Sequence, residues 1–251
     1  MTMHMMVQDV RDFFVDQLQN ECFTTDRLGG QTIELLGASF VASESAIFGK
    51  PNPDYIAREL RWYNQQSTNI NDIYVEDRNP PKAWQIAANK HGEINSNYGK
   101  LIYSSMYGNQ YINALNELIG NPDSRRACMV YNRPSIWHEY NENGKNDFIC
   151  TNAVNYYIRD GYMDCVVQMR SNDAWAGYRN DVAWQSHVLG QMVEDYNNTV
   201  SSSIKKGIIH WQVSNLHIYD RNFYLIDAYA KGHGVVTKGE YREMYPNSSF
   251  A

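Results

Sequence analysis

At 251 residues the chain can bury a sizeable core, and 43% hydrophobic with 20% charged residues describes a globular protein rather than a disordered one. A formal net charge of −6 argues against a nucleic-acid polymer as ligand, since a phosphate backbone demands a basic face; a few arginines still suffice for one small phosphorylated metabolite. No apolar run reaches a membrane span, the N-terminus lacks the basic start of a signal peptide, and the four cysteines have no metal-ligand spacing, so a cytosolic protein with unbridged thiols, no membrane contact and no metal is expected.

In chain order, an amphipathic helix is predicted over Val7–Leu18, and Gly29-Gly30 turn the chain into a strand, Thr32–Ala42. Asp54–Tyr63 reads as a helix with Ile56, Leu60 and Tyr63 on one face. Pro80-Pro81 break the chain before a short helix, Trp84–Asn89, and a further helix over Tyr111–Ile119 ends at Gly120. Arg126–Tyr131 reads as a strand. Asp160-Gly161 then marks a two-residue hairpin turn between arms Cys150–Arg159 and Tyr162–Ser171, which brings Cys150 toward the level of Arg170 and Ser171. Asp181 is expected to cap a helix over Val182–Tyr196, followed by a strand, Ile208–Tyr219, and a last helix, Arg221–Ala230. Without regular βαβ spacing, the fold class is α+β with a mixed or antiparallel sheet, in one domain spanning 1–251.

Cys150 is the candidate nucleophile, because a nearby cation such as Arg170 favours the thiolate; the alternative is a buried structural cysteine. Arg125-Arg126 and the Asp26-Arg27-Leu28-Gly29-Gly30 turn read either as solvated surface or as phosphate contacts, where guanidinium forks bind oxygens bidentately. Glu59 is a solvated helix residue unless its helix faces a cleft, where it could move a proton. His217 and Tyr219 alternate on a strand and share a face, suited to a sugar hydroxyl or to a core edge. The 19 tyrosines suit a cleft that stacks flat rings, or simply packing.

Taken in order, DRLGG, RELRW, KAW, GEINSNYGK, NPDSRR, the Cys150 segment, RSNDAWAGYRND and LHIY resemble the thymidylate synthase family, and within it the phage deoxycytidylate (dCMP) hydroxymethylases. The resemblance runs from about Arg27 to Tyr219 and implies a large mixed sheet wrapped by helices in a two-fold homodimer. It implies that Cys150 adds to C6 of a pyrimidine, that Arg27, Arg170 and Ser171 bind the nucleotide phosphate, and that Arg125 and Arg126 reach the phosphate of the partner subunit's site. It further implies Glu59 as the carboxylate that organises water and proton transfer, and Trp84, Tyr98, Asp173 and Gly177 as residues of the reacting and folate cleft. His217 and Tyr219 match residues that hold the deoxyribose 3′-hydroxyl.

Counted from RSxD through Gly177, Asp181 stands where thymidylate synthases carry asparagine. An asparagine amide matches the N3–H and O4 of uracil, whereas a carboxylate sharing a proton with N3 and accepting from the 4-amino group fits cytosine. Thr151 replaces the histidine that follows the nucleophile in thymidylate synthases, and Asn155 stands where glutamine is common. EMYPNSSFA differs from their apolar closing tail, which favours water as the final acceptor. The implied reaction is dCMP 5-hydroxymethylation, with 5,10-methylenetetrahydrofolate as co-substrate. The alternatives are a dCMP or dUMP methyltransferase using hydride, a dUMP hydroxymethylase, and a non-catalytic nucleotide-binding homodimer.

Overall fold

The Asp160-Gly161 turn closes a hairpin as its chemistry requires, since both residues take positive φ, 51° and 79°. The computed structural model describes residues 5–26, 29–74 and 78–251. Its strands are β1 (Met5–Met6), β2 (Thr24–Thr25), β3 (Gln31–Val41), β4 (Cys128–Val130), β5 (Thr151–Arg159), β6 (Tyr162–Met169), β7 (Asn172–Asp173) and β8 (Lys205–Tyr219). Its helices are α1 (Val7–Gln19), α2 (Pro53–Asn64), α3 (Lys82–Ala87), α4 (Tyr98–Tyr103), α5 (Gln110–Gly120), α6 (Ile136–Glu139), α7 (Ala176–Val200), α8 (Phe223–Ala230) and α9 (Lys238–Met244). The chain folds as two units: one comprises the N-terminal segment through Pro51, Arg170–Gln185 and Ile208–Ala251, the other Asn52–Met169 and Ser186–Gly207.

The first unit is built on a mixed sheet. β3 pairs parallel with β1 and antiparallel with β2 and β8, the last in register from Thr32↔Tyr219 to Val41↔His210. β7 runs parallel to β8, opposing Asn172 to Leu216 and Asp173 to His217. Val7, Val10, Phe14 and Leu18 recur at helical spacing along α1, and this buried stripe packs on β3 and α8. Burying such side chains contributes on the order of 2 kcal/mol each. Phe250 meets Phe223 edge-on, which anchors the residues after α9 to α8.

In the second unit β4, β5 and β6 form an antiparallel sheet, with a register irregularity between Thr151 and Ala153. Val154, Tyr156 and Ile158 on β5 and Met163, Cys165, Val167 and Met169 on β6 are buried at alternate positions, as a half-covered sheet demands. α5 packs on β4 and β5, and α4 packs on α2, α5 and β4. Gly99 lies so close to α2 that a Cβ there would come within 1.8 Å of the Tyr63 carbonyl, so only glycine lets α4 approach.

Several expected boundaries move. Asp181 is not a helix cap: α7 begins at Ala176, and Asp181 sits inside it. The cause is Asp173, whose carboxylate accepts from the backbone N–H of Trp175 (2.7 Å) and Ala176 (3.0 Å) and starts the helix earlier. The strand expected over Arg126–Tyr131 narrows to Cys128–Val130, and Asp220–Asn222 form a 3-10 turn before α8. Among the described residues no helix is long and apolar enough to cross a membrane.

Candidate active site

Helix α2 presents the most unusual group of the second unit. Glu59 is a carboxyl with only 5% of its surface exposed. One turn earlier, the Tyr55 hydroxyl donates to its Oε1 at 2.6 Å. The Trp84 indole N–H, supplied by α3, reaches both the Tyr55 hydroxyl (2.9 Å) and Glu59 Oε1 (3.2 Å). Burial pushes the Glu59 carboxyl up to about 7, against the opposing pull of the Tyr55 and Trp84 donors. Burial and the nearby Glu59 push the Tyr55 phenol up, so it stays protonated and keeps donating. A carboxyl that exchanges its proton near neutrality suits a general acid and base, and the solvated-surface alternative for Glu59 is excluded.

The sign of that shift makes a prediction. From about pH 4.5 to 7 the unfolded carboxyl ionises while the folded one stays neutral, so Glu59 lowers stability progressively across this window and costs its full penalty above it. Glu59→Gln should therefore gain stability on the parent protein as pH rises from 4.5 to 7, by up to about 3 kcal/mol. Chemical unfolding of both proteins at four or five pH values checks it, and a pH-independent difference would refute the burial.

The GEINSNYGK segment ties this helix to the loop before Cys150. Asn97, fully buried, donates to the carbonyls of Trp62 (3.1 Å) and Ser67 (2.7 Å), and its Oδ1 caps α4 at Lys100. Asp147 accepts from the backbone N–H of Asn95 (2.6 Å) and Ser96 (2.7 Å) and from the Ser96 hydroxyl (2.7 Å). Three donors on one buried carboxyl group hold the segment leading to Cys150 against the residues leading to Tyr98. Tyr98 itself is 4% exposed, stacked on Tyr63 and edge-on to Tyr131. At least one of its faces is thus spent on packing rather than left for a flat ligand.

Cys150 precedes β5, half-buried, with its thiol 3.8 Å from the Phe148 carbonyl. The hairpin's outermost pair, Thr151↔Met169, stops one residue short of Cys150 on one arm and of Arg170 on the other. The four cysteines form no disulfide. Burial pushes Cys165 up to about 12 and raises Cys128, which leaves both protonated and inert. Thr151 is fully buried, and its hydroxyl has no partner among the described residues; Asn155 bonds to Cys128. Arg125 and Arg126 are exposed; Arg126 is drawn to Glu117 at 3.0 Å, which also accepts from the buried Ser124.

The first unit assembles the other group. Arg170, half-buried, and Ser171 lead into β7, where Asp173 opposes His217 across the parallel pair. His217 and Tyr219 share a face of β8, rings 5.1 Å apart and edge-on, with the buried Leu216 and Ile218 facing the other way. His217 Nδ1 meets Asn215 Oδ1 at 3.1 Å, and Arg221 stacks over the Tyr219 ring at 4.2 Å. Inside α7 the Asp181 carboxylate accepts from the Asn172 amide, Nδ2 to Oδ2 at 2.7 Å. Arg27 lies outside the described residues.

Sequence reasoning missed Tyr55, Asp147 and Asn172. Tyr55 was findable, since it lies four residues before Glu59 on one helix. Asp147 and Asn172 carry no local signal; their partners lie 51 and 9 residues away. Among the described residues no group of His, Cys, Asp and Glu side chains could hold a metal ion.

Residues 24–231 match the family model for thymidylate synthase. The deoxycytidylate 5-hydroxymethyltransferase of Enterobacteria phage T4 is 47% identical over 243 residues, 96% of this chain and 98% of that protein. The corresponding protein of Enterobacteria phage T2 is 49% identical over 224 residues, 89% of this chain and 90% of its own. The crystal structure of thymidylate synthase from T4 phage is similar in fold, with a TM-score of 0.65 at 21% identity, covering 84% of this chain and 76% of that one. The chain belongs to the thymidylate synthase family.

Proposed function

We propose that this chain is a dCMP 5-hydroxymethyltransferase, whose balanced reaction is dCMP + 5,10-methylenetetrahydrofolate + water → 5-hydroxymethyl-dCMP + tetrahydrofolate. The observation that carries the reading is Asp181, a carboxylate held by Asn172 at the position where thymidylate synthases have an amide. With the shared proton toward N3, its oxygens complement the N3 and 4-amino groups of cytosine. The extensive identity to phage enzymes of that name supports the same reading.

In this mechanism the chain, residues 1–251, is one catalytic domain of a homodimer. Arg27, Arg170 and Ser171 hold the phosphate, Arg125 and Arg126 extend to the partner subunit's phosphate, and His217 with Tyr219 take the 3′-hydroxyl. Cys150 forms a thioether bond to C6, which makes C5 nucleophilic. The folate, when bound, would supply the one-carbon unit that C5 takes up; C5 then gives up its proton, the leaving nitrogen takes one up, and departure of tetrahydrofolate leaves an exocyclic methylene on the base. Trp84 keeps an aromatic edge beside Glu59, which fits a cleft that receives the pterin, while the closed packing of Tyr98 limits that residue to its hydroxyl edge. Glu59, near neutrality in its proton affinity, takes the proton from the water that adds to the base's exocyclic methylene. Cys150 then leaves from C6 and the aromatic ring is restored.

Mass spectrometry of the product from the protein, methylenetetrahydrofolate and either dCMP or dUMP tests this. Gain of CH2O on dCMP alone is expected. Gain of CH2 would assign a hydride step, and a preference for dUMP would overturn the reading of Asp181. A phage origin and action in the infected host's cytoplasm follow from this reading.

A further inference from the structure

Asp181 by itself does not choose between cytosine and uracil. A carboxyl that carries one proton is both donor and acceptor, and its pattern depends on which oxygen holds the proton. With the proton on one oxygen it offers a hydrogen to N3 and a lone pair to the 4-amino group, as cytosine needs. With the proton on the other it offers a hydrogen to O4 and a lone pair to N3–H, as uracil needs. Base selection therefore requires something that fixes the proton.

We infer that Asn172 is that positioning residue: it commits Asp181 Oδ2 to accepting and so directs the shared proton to Oδ1. The inference rests on the proposal that Asp181 meets the pyrimidine. Asn172 is 3% exposed, and its backbone is pinned in β7 opposite Leu216. Its Nδ2 donates to Oδ2 at 2.7 Å. Its own Oδ1 is buried and has no hydrogen-bond partner among the described residues. An unpaired buried acceptor is a structural cost, so this side chain is poorly explained by stability alone. The wall behind it is equally close. A Cβ at Gly177 would stand 2.9 Å from Asn172 Nδ2 and 3.6 Å from Asp181 Oδ2, so glycine there leaves the amide its place.

Protonating Oδ2 to suit uracil would set an O–H against this N–H. Asn172 thus adds an obstacle to the wrong base beyond the contacts that Asp181 offers the right one.

The test is kcat/KM for dCMP and dUMP in the parent protein and in Asn172→Leu, with thermal unfolding of each. Leucine keeps the bulk and removes both the N–H and the unpaired oxygen. The dCMP-to-dUMP ratio should fall roughly tenfold or more, with the unfolding temperature unchanged or raised. A merely structural residue would lower both rates together, keep the ratio and lower the unfolding temperature, and that result overturns the inference. Gly177→Ala retains Asn172 but crowds its amide, and it should move the ratio in the same direction if the leucine variant fails to fold; an unchanged ratio there also overturns the inference. A parent protein that uses dUMP as readily as dCMP sinks the proposed function instead, while a selective parent whose selectivity survives both substitutions sinks only the role of Asn172.

Discussion

Cys150→Ser should reduce turnover to background while dCMP still binds. A serine hydroxyl does not ionise near neutrality, and without a base that takes its proton it is a poor nucleophile. Thiolate chemistry is different, because a thiol lies within reach of ionisation at physiological pH. The phosphate and sugar contacts proposed for Arg170, Ser171, His217 and Tyr219 do not involve the sulfur, so affinity should change little. Release of tritium from C5-labelled dCMP measures the covalent step apart from the folate reaction, and equilibrium binding measures the rest. Turnover within about tenfold of the parent protein would remove Cys150 from the mechanism, since such a loss is only about 1.4 kcal/mol. Cys165→Ser and Cys128→Ser are the controls: burial keeps both thiols protonated, so neither has chemistry to lose. A 5-fluoropyrimidine nucleotide should label the peptide that contains Cys150 and no other.

Asp181→Asn should exchange the base preference. An amide offers one donor and one acceptor in the arrangement that uracil completes, and it faces cytosine with two mismatched pairs. Each unpaired buried group costs about 1–3 kcal/mol, so two mismatches should move the dCMP-to-dUMP ratio of kcat/KM by roughly a hundredfold or more. Competition between the two nucleotides in one reaction, read by mass spectrometry, gives the ratio directly. A variant that loses activity on dCMP without gaining it on dUMP would mean that Asp181 does proton chemistry rather than base selection. One that keeps its dCMP preference would remove the residue from the site.

Much of this protein was legible locally. The stripe of Val7, Val10, Phe14 and Leu18 announces α1 because helical periodicity is a property of neighbours along the chain. Asp160-Gly161 announces the hairpin because positive φ at both positions is a property of those two residues. The order of the motifs announces the family, and the family resemblance implies the roles proposed for Cys150 and the arginines. Their types and spacing fix which reactions are chemically open.

What only the tertiary structure decided is proton affinity and orientation. Nothing local says that Glu59 is buried; that requires α3 to bring Trp84 from 25 residues away, after which desolvation alone lifts the carboxyl toward neutrality. Asp181 looks like a helix cap in sequence because aspartate caps helices. It instead lies in the helix interior, because Asp173 accepts from the backbone N–H of Trp175 and Ala176 and the helix already starts at Ala176. Asn172 is invisible until β7 and α7 are set side by side, since an amide's role depends on the partner it meets. Periodicity and turn chemistry act between adjacent residues and are written in the chain, whereas desolvation and buried hydrogen bonds depend on what packs from elsewhere and exist only in the fold.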